Sequence, residues 1–192
     1  MKLLIRIAVF GSLISATSAC FKPDYSEKYI SLKEDEFKQY QEETKERPSP
    51  AARTKSVMRG TSVYITYSQP GVKDRTVWGD LVKYDEIWRT GANEATVLST
   101  TGDLLVQGDT LRAGNYALYT IPRPNKWTVI LNSRYNVWGA YDYDITQDVL
   151  RFDIKPYELE EQNERMLFDI DEIGTVEFKW DKLGFKFYVM PI

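Results

Sequence analysis

The chain contains no histidine and a single cysteine. The first absence removes Ser-His-Asp and Cys-His catalysis in their usual forms, together with the commonest protein ligand for zinc, copper and non-haem iron. The second excludes an internal disulfide, so the fold must be held by its core alone. A Gly-rich phosphate loop is missing as well, since Gly108, Gly114 and Gly139 are isolated glycines that read as turns. No apolar run reaches the roughly 20 residues of a spanning helix. Acidic and basic residues interleave to a net charge of −3, without the concentrated basic face that nucleic acid requires, so no nucleic-acid partner is expected. An enzyme made from this sequence has only carboxylates, lysine, tyrosine and arginine to work with. Its 28 acidic residues are spread along the chain, and nothing local selects a pair of the kind that cleaves glycosidic bonds. The residues call for no cofactor and no metal. The nearest approach to a cation loop is at 139–144, where Asp142 and Asp144 alternate on one face without the ligand number or the glycine of a calcium loop.

What is present begins with an export signal. Lys2 and Arg6 precede an apolar run to Ile14, and small residues follow as far as Cys20. Residues 1–19 therefore read as a secretory signal peptide. Thr17-Ser18-Ala19-Cys20 resembles a bacterial lipoprotein cleavage box, in which the cysteine becomes the lipidated first residue of the mature chain. The alternative is ordinary signal-peptidase cleavage beside a free thiol. Lipidation accounts for an odd cysteine in an exported protein. Each buried acyl CH₂ contributes about 0.8 kcal/mol, so several chains hold a protein on a membrane without a spanning segment. The expected location is the periplasm or outer membrane, with the membrane as partner through the lipid anchor.

Residues 20–50 carry charges of both signs and few apolar residues, among them Ile30, Leu32, Phe37 and Tyr40. This composition predicts a charged, partly helical tether, either a stalk or a linker. Ser31 with Glu34 has the form of a capping box for a helix running to about Arg47, which Pro48 and Pro50 end. From residue 51 to 192 the periodicity becomes that of strands. Val63, Ile65 and Tyr67 share one face, as do Leu150, Phe152 and Ile154, and then Met166, Phe168 and Ile170. Val176, Phe178 and Trp180 alternate in the same way, as do Phe185, Phe187 and Val189, and the Asp181-Lys182-Leu183-Gly184 stretch between them predicts a hairpin loop. The runs "NYALYTI" and "WTVIL" are apolar on both faces and should lie centrally in a sheet. The expected fold is all-β, a single antiparallel β-sandwich or jelly-roll-like barrel with little helix.

The densest polar cluster is Trp88-Arg89-Thr90-Gly91-Ala92-Asn93-Glu94-Ala95-Thr96. Two readings are open. In one, Arg89 and Glu94 close into a bidentate pair across a turn at Gly91 while Asn93 bonds backbone groups, so that the motif is a buckle. In the other, Arg89, Asn93 and Glu94 face a cleft and bind a polar ligand. Trp138, Tyr141 and Tyr143 add aromatic planes beside Asp142, of the kind a sugar or peptide stacks on, with Tyr141 and Tyr143 on one face of an extended chain. The function expected is a ligand-binding or envelope-structural module for a carbohydrate or peptide ligand. The alternative is a carboxylate-based hydrolase of envelope polysaccharide.

Taken in order, "VYITYSQPGVKDR", "VWGDLVKYDEIWRTGANEAT", "LRAGNYALYTIP", "WTVILN", "WGAYDY" and "DVLR" resemble the bacterial family called domain of unknown function 2911, made largely of exported and often lipid-anchored proteins. The resemblance covers roughly Ser49 to Ile192, and it implies a fold and a compartment but no reaction. The chain departs from the family's usual pattern at Gln69, where a basic residue is expected before Pro70, and at Asp74 and Asp85, where glycine is common.

Overall fold

The computed structural model describes residues 26–192. The expected signal peptide, residues 1–19, and the expected lipidation site Cys20 lie outside the described residues. Two short helices, α1 (Ser26–Ile30) and α2 (Glu34–Thr44), precede ten strands: β1 (Ala51–Met58), β2 (Thr61–Ser68), β3 (Val97–Thr100), β4 (Leu104–Val106), β5 (Asp109–Leu111), β6 (Gly114–Ile121), β7 (Trp127–Asn132), β8 (Asp148–Ile154), β9 (Tyr157–Ile170) and β10 (Thr175–Pro191). They form a six-stranded sheet ordered β1-β2-β3-β6-β7-β8 and a four-stranded sheet ordered β5-β4-β10-β9. The pairing is antiparallel throughout both sheets. The fold is an all-β sandwich with no closed barrel. Two-residue turns at Arg59-Gly60 and Gln107-Gly108 close the β1–β2 and β4–β5 hairpins with both residues at positive φ, the backbone that matches strand twist.

Alternation along the strands decides what each sheet face covers. Val63, Ile65 and Tyr67 of β2, Leu118 of β6, and Trp127, Val129 and Leu131 of β7 point inward against Phe168, Phe178, Phe185 and Phe187 of the smaller sheet. Burying each such side chain stabilises the fold by about 1.5–3 kcal/mol. The long stretch between β2 and β3 sends Trp78 and Trp88 against this core, where they meet Trp127 and Trp180 at ring-centroid separations from 4.9 to 6.4 Å. Only Trp88 finds an acceptor there, at Gly91 O; the Nε1 atoms of Trp78, Trp127 and Trp180 have none, so ring contact holds the cluster.

The outer face of the six-stranded sheet is covered too. Ala117, Tyr119 and Ile130 pack beneath Ile87, Ala95, Val137 and Tyr143 from two irregular segments. Double-sided burial explains why β6 and β7 are apolar on both faces, and both lie inside the sheet as expected.

Two expectations are corrected. Asp181–Gly184 is not a hairpin loop: β10 runs through it, still paired to β9 on both sides, with register shifts around Asp181, whose φ is +53°. Bulges and turns draw on the same Asp/Gly chemistry. Gly184 is needed there for space, because a Cβ would stand 2.7 Å from the Tyr157 ring and 2.9 Å from Phe178 O. The helical stretch is also not a solvated tether. Tyr29, Phe37 and Tyr40 are buried with Ala51 and Val97, and the Arg53 guanidinium lies 3.7 Å over the Phe37 ring while donating to Ser31 O and Tyr29 O. Phe37, Tyr40 and Thr44 recur at helical spacing, so a mostly charged helix still presents one packing face. The cap differs as well: Lys33 is the N-cap without a side-chain bond, and Ser31 Oγ donates to Glu36 Oε2 (2.5 Å) and accepts from Lys33 N (3.3 Å).

Candidate functional site

The Trp88–Thr96 segment is fixed to β6 from one side. Trp88 and Thr120 exchange backbone hydrogen bonds of 2.8 and 2.9 Å, and Thr90 Oγ1 donates to Thr120 Oγ1. Thr96 closes the turn, its N–H reaching Arg89 O and its hydroxyl donating to Thr90 O at 2.8 Å. Positive φ falls on Thr90 and Asn93, not on Gly91. Gly91 is required by close approach instead, since a Cβ would lie 2.9 Å from Thr96 Oγ1 and 3.3 Å from Ser68 O.

The bidentate Arg89–Glu94 pair does not form. Glu94, only 5% exposed, is instead bound by residues distant in sequence. Arg47 donates to its Oε1 at 3.0 Å, the Tyr40 hydroxyl donates to the same oxygen, and Ser68 Oγ donates to Oε2 at 3.1 Å. Arg47 Nη1 also reaches the Tyr40 hydroxyl at 3.3 Å. Burial, then Glu94, pushes the Tyr40 hydroxyl pKa well up, so Tyr40 stays a donor. A partner on another element satisfies a buried carboxylate as well as a local one does, and the family motif is thereby tied to α2. Asn93 bonds backbone, but outside the turn, donating to Ser49 O at 3.0 Å. The residues missed from sequence are Tyr40, Arg47 and Ser68. The one local signal for them was Tyr40's place on the apolar face of α2.

Arg89 has the opposite character. It is half-buried, its Nε is buried without an acceptor, and its guanidinium makes no hydrogen bond or ion pair among the described residues. Burial lowers its pKa from the arginine range, with Tyr141, Glu94 and Tyr29 acting the other way. Glu94 and Trp138 form an antiparallel bridge, and Ala95 N donates to Val137 O at 3.1 Å, which brings the 135–143 segment alongside. At Gly139, which has φ of +70°, a Cβ would stand 3.6 Å from Arg89 Nη1 and 3.2 Å from the Tyr141 ring. Trp138 is 48% exposed and Tyr141 86%. Arg89 and Tyr141 therefore meet at Gly139, with the exposed Trp138 next to it in the chain.

Tyr143 does not join them. The segment turns at residues 139–142, with Tyr143 N donating to Ala140 O, so Tyr141 and Tyr143 diverge instead of sharing an extended face. Tyr143 packs edge-on to Tyr119, with centroids 5.1 Å apart, and donates to Asp148 Oδ2 at 2.7 Å. Asp144 caps the short 3₁₀ turn after it, accepting from Thr146 N and Oγ1. Among the described residues no group of three or more Cys, Asp or Glu side chains is placed to hold a metal ion, and no helix is long and apolar enough to cross a membrane.

Glu94, Asp148 and Glu177 are matched to cations, while the half-buried Asp144 and Asp181 accept from Thr146 and Gln162. Glu94 has Arg47, Asp148 has Arg151 at 2.8 Å, and Glu177 has Lys179 and Lys186 at 2.8 and 3.1 Å. Burial raises the Glu177 pKa, and hydrogen bonds from Lys179, Tyr157 and Lys186 outweigh it and hold the carboxyl below the usual range.

Residues 49–189 match the family described as "Protein of unknown function (DUF2911)", and the chain belongs to that family. The described part of the helical arm lies before the matched residues. Asp74 and Asp85, where glycine was expected, adopt φ of +55° and +62°, a left-handed backbone that aspartate tolerates. Gln69 donates to Met166 O at 3.2 Å, the neutral use of a position expected to be basic. No curated protein and no solved structure matches the chain.

Proposed function

We infer that this protein is an exported, lipid-anchored binding module of the cell envelope, and that its site is Arg89 flanked by Trp138 and Tyr141. One observation carries the reading: a half-buried guanidinium, without a partner among the described residues, lies against Gly139 in the segment that carries the exposed Trp138 and Tyr141. Buried polar groups are ordinarily satisfied, and a desolvated arginine with free donors suits a carboxylate, which it meets with two parallel hydrogen bonds. Flat aromatic faces beside it suit the apolar face of a sugar ring. The ligand class is an acidic sugar.

A glycan array carrying matched acidic and neutral sugars, probed with the mature protein, tests this. Binding confined to the acidic members, weakened about 10- to 100-fold by Arg89→Gln, is the expected result, since a hydrogen bond to a charged group contributes about 1.5–3 kcal/mol. Arg89→Gln binding every sugar as the wild type does would refute it. The hydrolase reading requires two carboxyl groups facing one cleft, one of them with a raised pKa. Glu94, the buried carboxylate among the described residues, is bound by Arg47, Tyr40 and Ser68 instead of facing a second carboxyl group, and the reading is not carried further.

A further inference from the structure

A shallow groove of about 410 Å³ lies at β7 and β8, lined by Arg123, Lys126, Thr128, Arg151, Phe152 and Asp153. Thr128 pairs with Asp153 and Ile130 with Arg151 across the two strands. Ile130 packs on the outer face, so Thr128, Arg151 and Asp153 share that face, the one the aromatic segment covers. Arg151 joins the two regions, since its Nη1 reaches the Tyr143 hydroxyl at 3.2 Å while the residue also lines the groove. Three cations and one carboxylate make up the charge of the lining. Lys126 is paired to Asp153 at 2.9 Å, Arg123 to Asp85 at 2.6 Å and Arg151 to Asp148 at 2.8 Å; the first two pairs each have a partner at least half exposed, while Arg151 is the more firmly held. Exposed pairs of this kind contribute about 0–1 kcal/mol, so a ligand anion exchanges with them at little cost. An arginine has five N–H donors and a lysine three, and the internal bonds of Arg123 and Lys126 use only some of these.

We propose that the groove is a second subsite, and that the ligand is an acidic polysaccharide whose chain runs from Arg89, Trp138 and Tyr141 past Tyr143 into the cations of Arg123, Lys126 and Arg151. This inference rests on the reading of Arg89 given above and adds the ligand's polymeric character. The volume falls in the range of small-ligand sites, room for sugar units beyond the one at Arg89. A glycan is favoured over a peptide by the exposed rings of Trp138 and Tyr141, which suit the apolar face of a sugar.

The test is calorimetric titration of the mature protein with galacturonate oligomers from one to eight units, alongside neutral galactose oligomers and poly-glutamate of matched charge. Affinity for galacturonate is expected to rise with length, with the neutral oligomers and poly-glutamate binding at least tenfold more weakly. Arg123→Gln combined with Lys126→Gln is expected to reduce binding of the long oligomers about five- to tenfold and leave the monomer unchanged. Asp153→Asn, which removes the competing carboxylate, is expected to strengthen binding of the long oligomers. Length-independent affinity, or a double variant that binds long oligomers as the wild type does while Arg89→Gln weakens every length, overturns the groove and leaves the Arg89 site standing. Poly-glutamate binding as tightly as galacturonate overturns the choice of a glycan. Arg89→Gln without effect at any length overturns the underlying site.

Discussion

Replacing Glu94 by glutamine keeps the size of the side chain and removes its charge. The amide oxygen still accepts from the Tyr40 hydroxyl, and the amide nitrogen faces Ser68 Oγ, which turns to accept, so the substitution isolates the ion pair with Arg47. Breaking a fully buried pair costs about 3–5 kcal/mol. The Arg47 side chain is 28% exposed, and water recovers part of that loss, so we expect Glu94→Gln to cost about 2 kcal/mol. Arg47→Gln should cost more, about 3 kcal/mol, because it strands a carboxylate whose side chain is only 7% exposed. In the double variant neither charge is stranded, and the cycle should show a coupling of about 1–2 kcal/mol. For a domain of this size a loss of about 2 kcal/mol lowers the melting temperature by about 4–8 °C. Urea unfolding at neutral pH followed by circular dichroism, with an unchanged m-value, is the assay. A Glu94→Gln variant within about 0.5 kcal/mol of wild type, or strictly additive single losses, would refute the account of how the arm is held.

Gly91→Ala should cost about 1–3 kcal/mol by overpacking, because the new methyl meets Thr96 Oγ1 and the Ser68 carbonyl; a wild-type melting temperature would contradict the close approach. In acid, burial raises the Asp171 and Glu177 carboxyls, but hydrogen bonds outweigh it and hold both below the usual range. Their contribution is therefore complete above an unfolded pKa of about 4 and lost as pH falls through the lower folded values. The urea midpoint should decline below about pH 4, and a flat profile there would count against these bonds. In alkali the sign reverses: burial pushes Tyr119 and Tyr143 up to about 12, so their contribution is complete below about pH 10 and lost as pH rises through about 12. The phenolate absorbance that Tyr119→Phe and Tyr143→Phe remove should appear together with unfolding in that window, and its appearance at about pH 10 in the folded protein would be inconsistent with their burial. Cys20→Ser should abolish metabolic labelling with a fatty-acid analogue and release the protein from the membrane fraction; labelling that persists excludes lipidation at that residue.

The strands were legible because burial on a pleated surface imposes a period of two, and β8, the end of β9 and the two halves of β10 carry it plainly. The sandwich followed, as did the interior places of β6 and β7. The continuity of β10 was not legible, since Asp181 and Gly184 satisfy the local requirements of a turn and of a bulge alike, and only pairing with β9 decides between them. The arm was half legible: its helix was expected and its docking was not, because a few aromatic contacts among many charges outweigh a hydrophilic average. At the site, the sequence drew attention to Arg89, Glu94, Trp138 and Tyr141, and the bridge between Glu94 and Trp138 brings their two segments side by side. The sequence misassigned the partner of Glu94, since nothing local records a contact with Arg47 across 47 positions. It also misread Tyr143, because a chain that turns between residues 139 and 142 breaks the alternation by which Tyr141 and Tyr143 were put on one face.

Four of the five tryptophans pack ring against ring inside the sandwich, whereas Trp138 stands at the surface on the segment that covers the opposite face of the six-stranded sheet. Excitation energy passes readily among indoles so close together, and a quencher dissolved in water reaches them last. The red-shifted part of the intrinsic fluorescence therefore comes from a single exposed ring, and the molecule carries its own optical gauge of whatever settles on that segment.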